Sequence, residues 1–472
     1  MLGSSRAAIE RNGGDVRMSK RNLVWMGIIV LMMALFYLVT PRLARQDSVY
    51  QTYAPLVEVD AMIRRHFVEP VPQGNLVDGA IRGMMLQLDP YSRYIAPEEM
   101  DAFERSLNPQ YIGIGVEMGT RHGQMTVIAP VEESPAARAG ILAGDVILYV
   151  DGRSTEWMSV LDVDARLVGT PGSVVSLAVR HSDGQEETLE VVRGPVVIHA
   201  VKGVCRVAEG GYDYLIDPAR GIGYIRVASF RENTTVELDR ALSSLTDKGV
   251  RAIVLDLRFN GGGLLLQAVD VVDRFVDDGV IIAVVEQRNT VQRYRAKAEG
   301  TLPPLELAVL VNGSSASAAE IVAGALQDFK RAVIVGTRTF GKGSVQRVRY
   351  LKVKGRDAAV RMTEAHYVLP SGRLIHRTPR SVETDVWGIM PDLVVPITEE
   401  QSRDIQTRRR MVDSVSSKSA ATQEADGPET APTEGDTRRI WVDPQLEAAL
   451  EVIASRLSRQ AQTTQPAPES QP

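Results

Sequence analysis

The order of patterns along the chain predicts a multidomain α+β protein. A helical region comes first, then a small domain of short strands, then an α/β core. Three observations support this. Apolar residues recur at helical spacing from about residue 46 to 107. Short apolar runs alternate with Gly- and Asp-bearing turns from about 110 to 195. Beyond 221, apolar runs alternate with longer amphipathic stretches.

At 472 residues the chain has room for two or three domains with substantial cores. Hydrophobic content of 44% and charged content of 24% are those of a globular protein. A net charge of -5 with dispersed Lys and Arg gives no polyanion-binding signature, so nucleic acid is not an expected partner. Cys205 stands alone, which excludes an intrachain disulfide framework and a cysteine-rich metal site. The six histidines show no H-E-x-x-H spacing, so neither a metal nor another cofactor is expected.

In order, Leu23 to Val39 (LVWMGIIVLMMALFYLV) is a 17-residue uncharged stretch flanked by Arg17, Lys20 and Arg21 before it and Arg42 and Arg45 after it. It is expected to be an uncleaved signal anchor within a segment 1–45, with a cytoplasmic start and an exported body. The expected location is therefore the cytoplasmic membrane, single-pass, with the body periplasmic or otherwise extracytoplasmic.

A helical region, 46–109, comes next. Leu76, Val77, Ala80, Ile81, Met84, Met85 and Leu88 form one apolar stripe, Asp89-Pro90 ends it, and Pro97-Glu98-Glu99 starts another helix. The strand domain, 110–195, opens on Ile112-Gly113-Ile114-Gly115-Val116. It continues through a short helix after Ser134, the strand Val146 to Val150 and the turn Asp151-Gly152.

The α/β core, 196–398, has a strand at Gly223 to Val227 and a helix from Thr234 to Asp247 closed by Gly249. Val250 to Leu257 is almost wholly apolar, as a parallel sheet covered on both faces requires. Arg258-Phe259-Asn260-Gly261-Gly262-Gly263 then leads into the helix Leu264 to Val276. Three glycines in a row serve either a tight strand-to-helix turn or amides turned towards a ligand. Residues 399–440, rich in Ser, Thr, Ala, Glu and Pro from 411, are expected to be a disordered linker. The segment 441–472 holds a helix at Asp443 to Leu457 and a polar tail.

The chemistry concentrates in Val311 to Gln346. A strand ends at Asn312-Gly313, a helix follows Ser317, a second strand follows that helix, and a glycine-framed loop carries Lys342. Ser317 with Glu320 reads locally as a capping box. Gly336 to Lys342 is nearly a P-loop, but Gly343 stands where Ser or Thr should ligate magnesium, and Ser344 to Val353 looks like a strand. The third reading is a Ser/Lys dyad. There a lysine whose pKa is lowered by burial takes the proton of a serine hydroxyl.

Ser315-Ala316-Ser317-Ala318, with Lys342 25 residues past Ser317 and Gln346 four further on, resembles the carboxyl-terminal processing peptidases, or tail-specific proteases. The resemblance implies that Ser317 is the nucleophile, Lys342 its base and Gln346 a support for the lysine. Asp256-Leu257-Arg258-x-Asn260-x-Gly262-Gly263 resembles the family's second signature, which implies an oxyanion hole built from Gly262, Gly263 and Ala318. The usual Asn-Pro-Gly-Gly is Asn260-Gly261-Gly262-Gly263 here.

The strand domain resembles a PDZ domain, with Gly113, Ile114, Gly115 and Val116 as the loop that takes a peptide carboxylate. An arginine common in the family before a later glycine is replaced by Val168-Gly169. Arg361 to Arg373 and Gly388 to Asp392 resemble two further family segments, and 376–387 reads as an insertion between them. The fold implied is a crotonase-like α/β protease core with an inserted PDZ-like domain. The function implied is that of a membrane-tethered serine endopeptidase cleaving near protein C-termini. A catalytically silent PDZ adaptor is the alternative. Expected partners are protein or peptide C-termini, the membrane through Leu23 to Val39, and a second copy of the chain or an adaptor protein.

Overall fold

The runs Ile222–Val227, Ala252–Asp256, Glu306–Val311 and Val333–Gly336 are buried along nearly their whole length. They pair side by side in that order, all parallel, and Leu393–Val394 extends the sheet beyond Val333–Gly336. Val201–Lys202 and Leu215–Asp217 add to the first of them in antiparallel sense. In this computed structural model the described residues are 19–107, 110–207, 211–286, 291–414 and 443–463.

Alternate side chains of the sheet enter two cores. Ile225, Val227, Ile253, Leu255, Val309 and Ile334 pack with the helices Thr234–Asp247, Leu265–Asp273 and Ala318–Asp328. Ile222, Tyr224, Val254, Leu310 and Val335 pack with Leu446, Ala449, Ile453 and Leu457 of the helix Pro444–Thr463. The expected burial on both faces is therefore present, and the second face is closed by the C-terminal helix. Each of its buried Leu or Ile side chains is worth roughly 1.5–3 kcal/mol.

A second sheet is organised on the long strand Arg356–Val368. Its first half pairs with Arg93–Ile95, its whole length with Ser344–Val353, and its end with Val280–Glu286, which in turn pairs with Val291–Arg295. Residues 46–107 are thus not helical throughout. Arg93–Ile95 adds a strand, with Tyr94 and Ile95 both buried and Ile95 in a small core with Met100, Phe103 and Ala359.

The strand domain is a sheet with order Val116–Arg121, Gln124–Pro130, Val146–Val150, Val174–Arg180, Glu186–Val192. It has its own core, including Ile114, Val127, Ile147, Val163, Leu177 and Val191. Gln110–Gly113 pairs with Gly194–Val197 where the chain enters and leaves it.

Contacts divide the chain into Met1–Met84 and Met85–Pro472. The first unit holds the helix Lys20–His66, which closes on Arg64, Arg65 and His66, favourably placed against the helix dipole. Within it Val24 to Phe36 carry large exposed apolar side chains, while the side chains of Leu23 and residues 37–39 lie outside the described set. Among the described residues no helix is long and apolar enough to cross a membrane, so the expected spanning helix is not supported.

The expected linker needs correction at its start. Residues Glu399–Ser414 form a helix, with Ile405 and Arg409 buried. Its composition is nearly all polar, and it is held mainly by ion pairs of Arg409 and Asp413 rather than by an apolar stripe. Residues 415–442 lie outside the described set.

Candidate active site

Register decides what meets what. Asp256 pairs with Leu310 and Val311 with Gly336, so three neighbouring parallel strands end together. The loops that leave their C-terminal ends carry the glycine run, Ser317 and Lys342, the position where open α/β sheets place ligands.

Ser317 precedes the helix Ala318–Asp328 with φ 55° and ψ -114°. A left-handed φ at a non-glycine residue is strained, and such strain collects at functional positions. Ser315 is fully committed instead. Its hydroxyl donates to the Leu257 carbonyl (2.8 Å), accepts from the Asn312 N–H (3.0 Å) and is completely buried. Of the two motif serines, only Ser317 has no hydrogen bond to its hydroxyl among the described residues.

Two buried side chains fasten the main chain of Ser317 to that of Lys342. The Glu320 carboxylate accepts from the N–H of Ser317 (2.8 Å), Gly341 (2.7 Å) and Lys342 (2.8 Å), and from the Thr339 hydroxyl (2.5 Å). The Tyr367 hydroxyl reaches the carbonyls of both Ser317 (3.1 Å) and Lys342 (2.5 Å). Burial pushes the Glu320 carboxyl above its ordinary value, and the four donors oppose that push. Glu320 is therefore more than the cap its spacing suggested.

Lys342 is partly buried, its Nζ 5.1 Å from the centre of the Tyr91 ring. Burial lowers its pKa from the usual lysine value, and the positive charge of Arg361 lowers it further. Glu320 and Asp89 pull the other way. Tyr91 came from a stretch to which the sequence assigned no chemistry.

Gln346 sits at a β-bulge between Val345 and Gln346. Its amide donates to Ser344 Oγ (2.8 Å) and Thr363 Oγ1 (3.2 Å), and among the described residues it makes no hydrogen bond to Lys342.

The insertion 376–387 closes over the lysine loop. The Arg377 N–H donates to the Gly341 carbonyl (2.7 Å). Arg338 binds the carbonyls of Trp387 (2.9 Å) and Glu383 (2.7 Å), with its guanidinium 3.6 Å from the Trp387 ring centre.

The glycine loop packs directly on the serine. A Cβ on Gly262 would lie 2.8 Å from Ser317 Cβ, and its φ of 102° excludes other residues in any case. The Gly262 N–H donates to Asn260 Oδ1 (2.8 Å), so it is already engaged. The N–H groups of Gly263 and Ala318 make no hydrogen bond among the described residues.

In the strand domain Tyr111, Ile114, Gly115, Val116, Asp164, Leu167 and Val168 line a narrow cleft. The carbonyls of Ile114 and Gly115 are taken by the N–H of Ala136 (2.8 Å) and of Val131 (2.9 Å). Gly115 has φ 80° and sits against Ser134. Beside Gly169, Arg193 is spent on the carbonyls of Arg166 (2.7 Å), Leu167 (3.3 Å) and Val174 (2.9 Å).

The sequence profile of peptidase family S41 matches residues 221–395. A carboxy-terminal-processing protease of Bartonella bacilliformis is 35% identical over 364 residues, covering 75% of this chain and 78% of that protein. The chain belongs to peptidase family S41. It is a serine peptidase of the carboxyl-terminal processing type, which leaves the silent-adaptor alternative without support. This S41 peptidase also matches a PDZ domain profile at 126–181 and the profile of the activating protease CtpB N-terminal domain at 41–99. The carboxy-terminal processing protease CtpA of Bacillus subtilis is 33% identical over 334 residues, covering 70% of this chain and 67% of that one. Among solved structures, a photosystem II D1 C-terminal processing protease shares 31% identity over 78% of this chain and 91% of its own, with a TM-score of 0.44.

Proposed function

We propose that the protein is an endopeptidase that takes up protein C-termini through its PDZ domain and cleaves near them with Ser317 and Lys342. The observation that carries this is the double fastening of the Ser317 and Lys342 main chains by Glu320 and Tyr367, beside a lysine whose pKa is lowered by burial. Neutral Lys342 takes the proton of Ser317 as Oγ attacks the scissile carbonyl. The developing oxyanion is met by the Ala318 N–H at the start of its helix and by a glycine-loop amide. Gly263 has its N–H open for this, while Gly262 would have to leave Asn260. The resulting ammonium protonates the leaving amine, and the reverse sequence with water releases the acyl group.

Gln346 acts in this reading through Ser344 and Thr363, keeping the wall behind the lysine in place. The N–H groups of Ile114 and Gly115, which make no hydrogen bond among the described residues, suit a tail carboxylate, and the carbonyls already engaged beneath them hold the loop open. Membrane attachment through Leu23 to Val39, with the body outside the cytoplasm, completes the proposal. Its support is the uncharged stretch and the exposed apolar side chains from Val24 to Phe36.

Hydrolysis of an unstructured peptide tests the dyad. Ser317→Ala and Lys342→Ala should each abolish it, and the double variant should be no worse. Lys342→Arg should fail as well, since arginine stays protonated. Gln346→Ala should only weaken it, and Ser315→Ala should affect stability more than turnover. Full activity in Lys342→Ala would sink the mechanism. Full-length protein found wholly in the cytosolic fraction would remove the membrane part.

A further inference from the structure

The S41 profile ends at residue 395, yet the chain beyond that point is joined to the glycine loop by buried charges. We propose that the helices Glu399–Ser414 and Pro444–Thr463 are a working part of the catalytic unit, in which Arg409 of the first and Asp443, which caps the second, position the loop 256–263. This rests on the reading of that loop as the oxyanion-binding element.

Asp443 caps the helix Pro444–Thr463, accepting the Leu446 N–H at 3.2 Å. Both its carboxylate oxygens also meet Arg258, Oδ1 to Nη1 and Oδ2 to Nη2, each at 2.7 Å. Gln445 Oε1 accepts from Nη1 at 3.1 Å. The opposite edge of the guanidinium donates to Asp256, through Nε at 3.1 Å and Nη2 at 2.7 Å. Arg409, from the helix Glu399–Ser414, donates to the Arg258 carbonyl (3.2 Å) and to the Asp256 carboxylate. Its guanidinium lies 5.1 Å from the Phe259 ring centre. Arg258 is 2% exposed, Asp443 1% and Asp256 fully buried.

The path from this cluster to the serine is short. Two residues beyond Arg258, the side chain of Asn260 holds the Gly262 N–H (2.8 Å) and the Val227 carbonyl (2.8 Å). The carbonyl of Asn260 accepts the Ala316 N–H (2.9 Å). Two arginines and two aspartates balance in charge. Without Asp443 an excess positive charge would be left where water does not reach, and breaking a buried pair in that way is strongly unfavourable. Relief comes by moving Arg258, and Arg258 belongs to the loop itself. Small displacements of oxyanion donors cost rate out of proportion to their size.

Asp443→Asn in the full-length protein keeps the helix cap and the volume but removes the charge. A peptide aldehyde, whose adduct with Ser317 carries the oxyanion, is compared with the matching peptide alcohol, which forms no adduct. The expected result is a fall of about tenfold or more in kcat and in aldehyde affinity together, with KM and alcohol affinity held within about twofold. Unchanged kcat, or equal losses for aldehyde and alcohol, would overturn the proposal. If Asp443→Asn does not fold, Arg409→Met decides by the same readouts. It keeps the stem and removes the two donors that reach the Arg258 carbonyl and Asp256. A selective loss supports the proposal and no loss overturns it. Hydrolysis surviving in Ser317→Ala would refute the active-site reading itself. An inactive Ser317→Ala beside a fully active Asp443→Asn would refute only the role given to the C-terminal segment.

Discussion

Ser317 keeps a left-handed backbone because its neighbours hold both of its peptide groups, the N–H by Glu320 and the carbonyl by Tyr367. Tyr367→Phe removes the second grip while keeping the ring. Stability should fall by about 1–2 kcal/mol, the usual cost of taking a hydrogen-bond partner from an enclosed carbonyl, here that of Lys342, and kcat should fall about tenfold. Denaturant melts and peptide kinetics would read both, and unchanged kcat would deny the tyrosine its part.

Lys342 supplies a pH argument. Because burial and Arg361 lower its pKa, kcat/KM should rise with pH as the ammonium loses its proton. Arg361→Gln removes the like charge, so the rising limb should move to higher pH; a limb that stays put would exclude Lys342 as the group titrating. Stability follows the same sign. Between the lowered folded value and the ordinary lysine value the unfolded chain binds more protons, so this residue makes stability rise with pH across that window.

Serine, lysine and glycine loop were readable because each carries a local pattern. Tyr91 and Tyr367 were not assigned roles, since a ring beneath a lysine or a hydroxyl across two carbonyls leaves no spacing rule behind.

Among the elements, the apolar ones were the easiest to foresee. The helix Thr234–Asp247 and the strands Ile222–Val227 and Glu306–Val311 follow hydrophobic periodicity. Glu399–Ser414 does not, because charge partners hold it. Asp413 near its end binds Lys202 (2.9 Å), Arg226 and Tyr212 (3.4 Å), and Lys202 in turn binds Glu132 of the strand domain. The charged side chains of this group are no more than 16% exposed. Asp413→Asn takes the carboxylate partner from Arg226, leaves Lys202 with Glu132 alone, and should cost about 2–3 kcal/mol. A urea midpoint shift equivalent to less than about 0.5 kcal/mol, the range of ordinary surface changes, would show the group to be incidental.

At the scale of the whole molecule, the second unit joins a PDZ domain, proposed above to take up C-termini, to a hydrolytic one. Substrates should then be proteins with flexible, apolar C-termini. A peptide ending in Ala-Ala should be cleaved about tenfold faster than its amidated form, corresponding to about 1.4 kcal/mol of recognition. Equal rates for free, amidated and Asp-Asp-ended peptides would mean that the PDZ domain does not select tails. The α+β division into helices, strand domain and core was foreseeable from changes of period along the chain. The closing of the sheet by residues past 440 was not, because a helix shows which of its faces is apolar but not which surface it will cover.

Glu320 and Tyr367 touch residue 317 only at its main-chain N–H and carbonyl, so the cradle they form is indifferent to the side chain there. A protein disarmed at that position should keep the shape of the working one, with its amides still set for a bound peptide. Ser317→Ala is therefore a faithful decoy: it can hold a natural target at the moment before cleavage, long enough for that target to be isolated and sequenced.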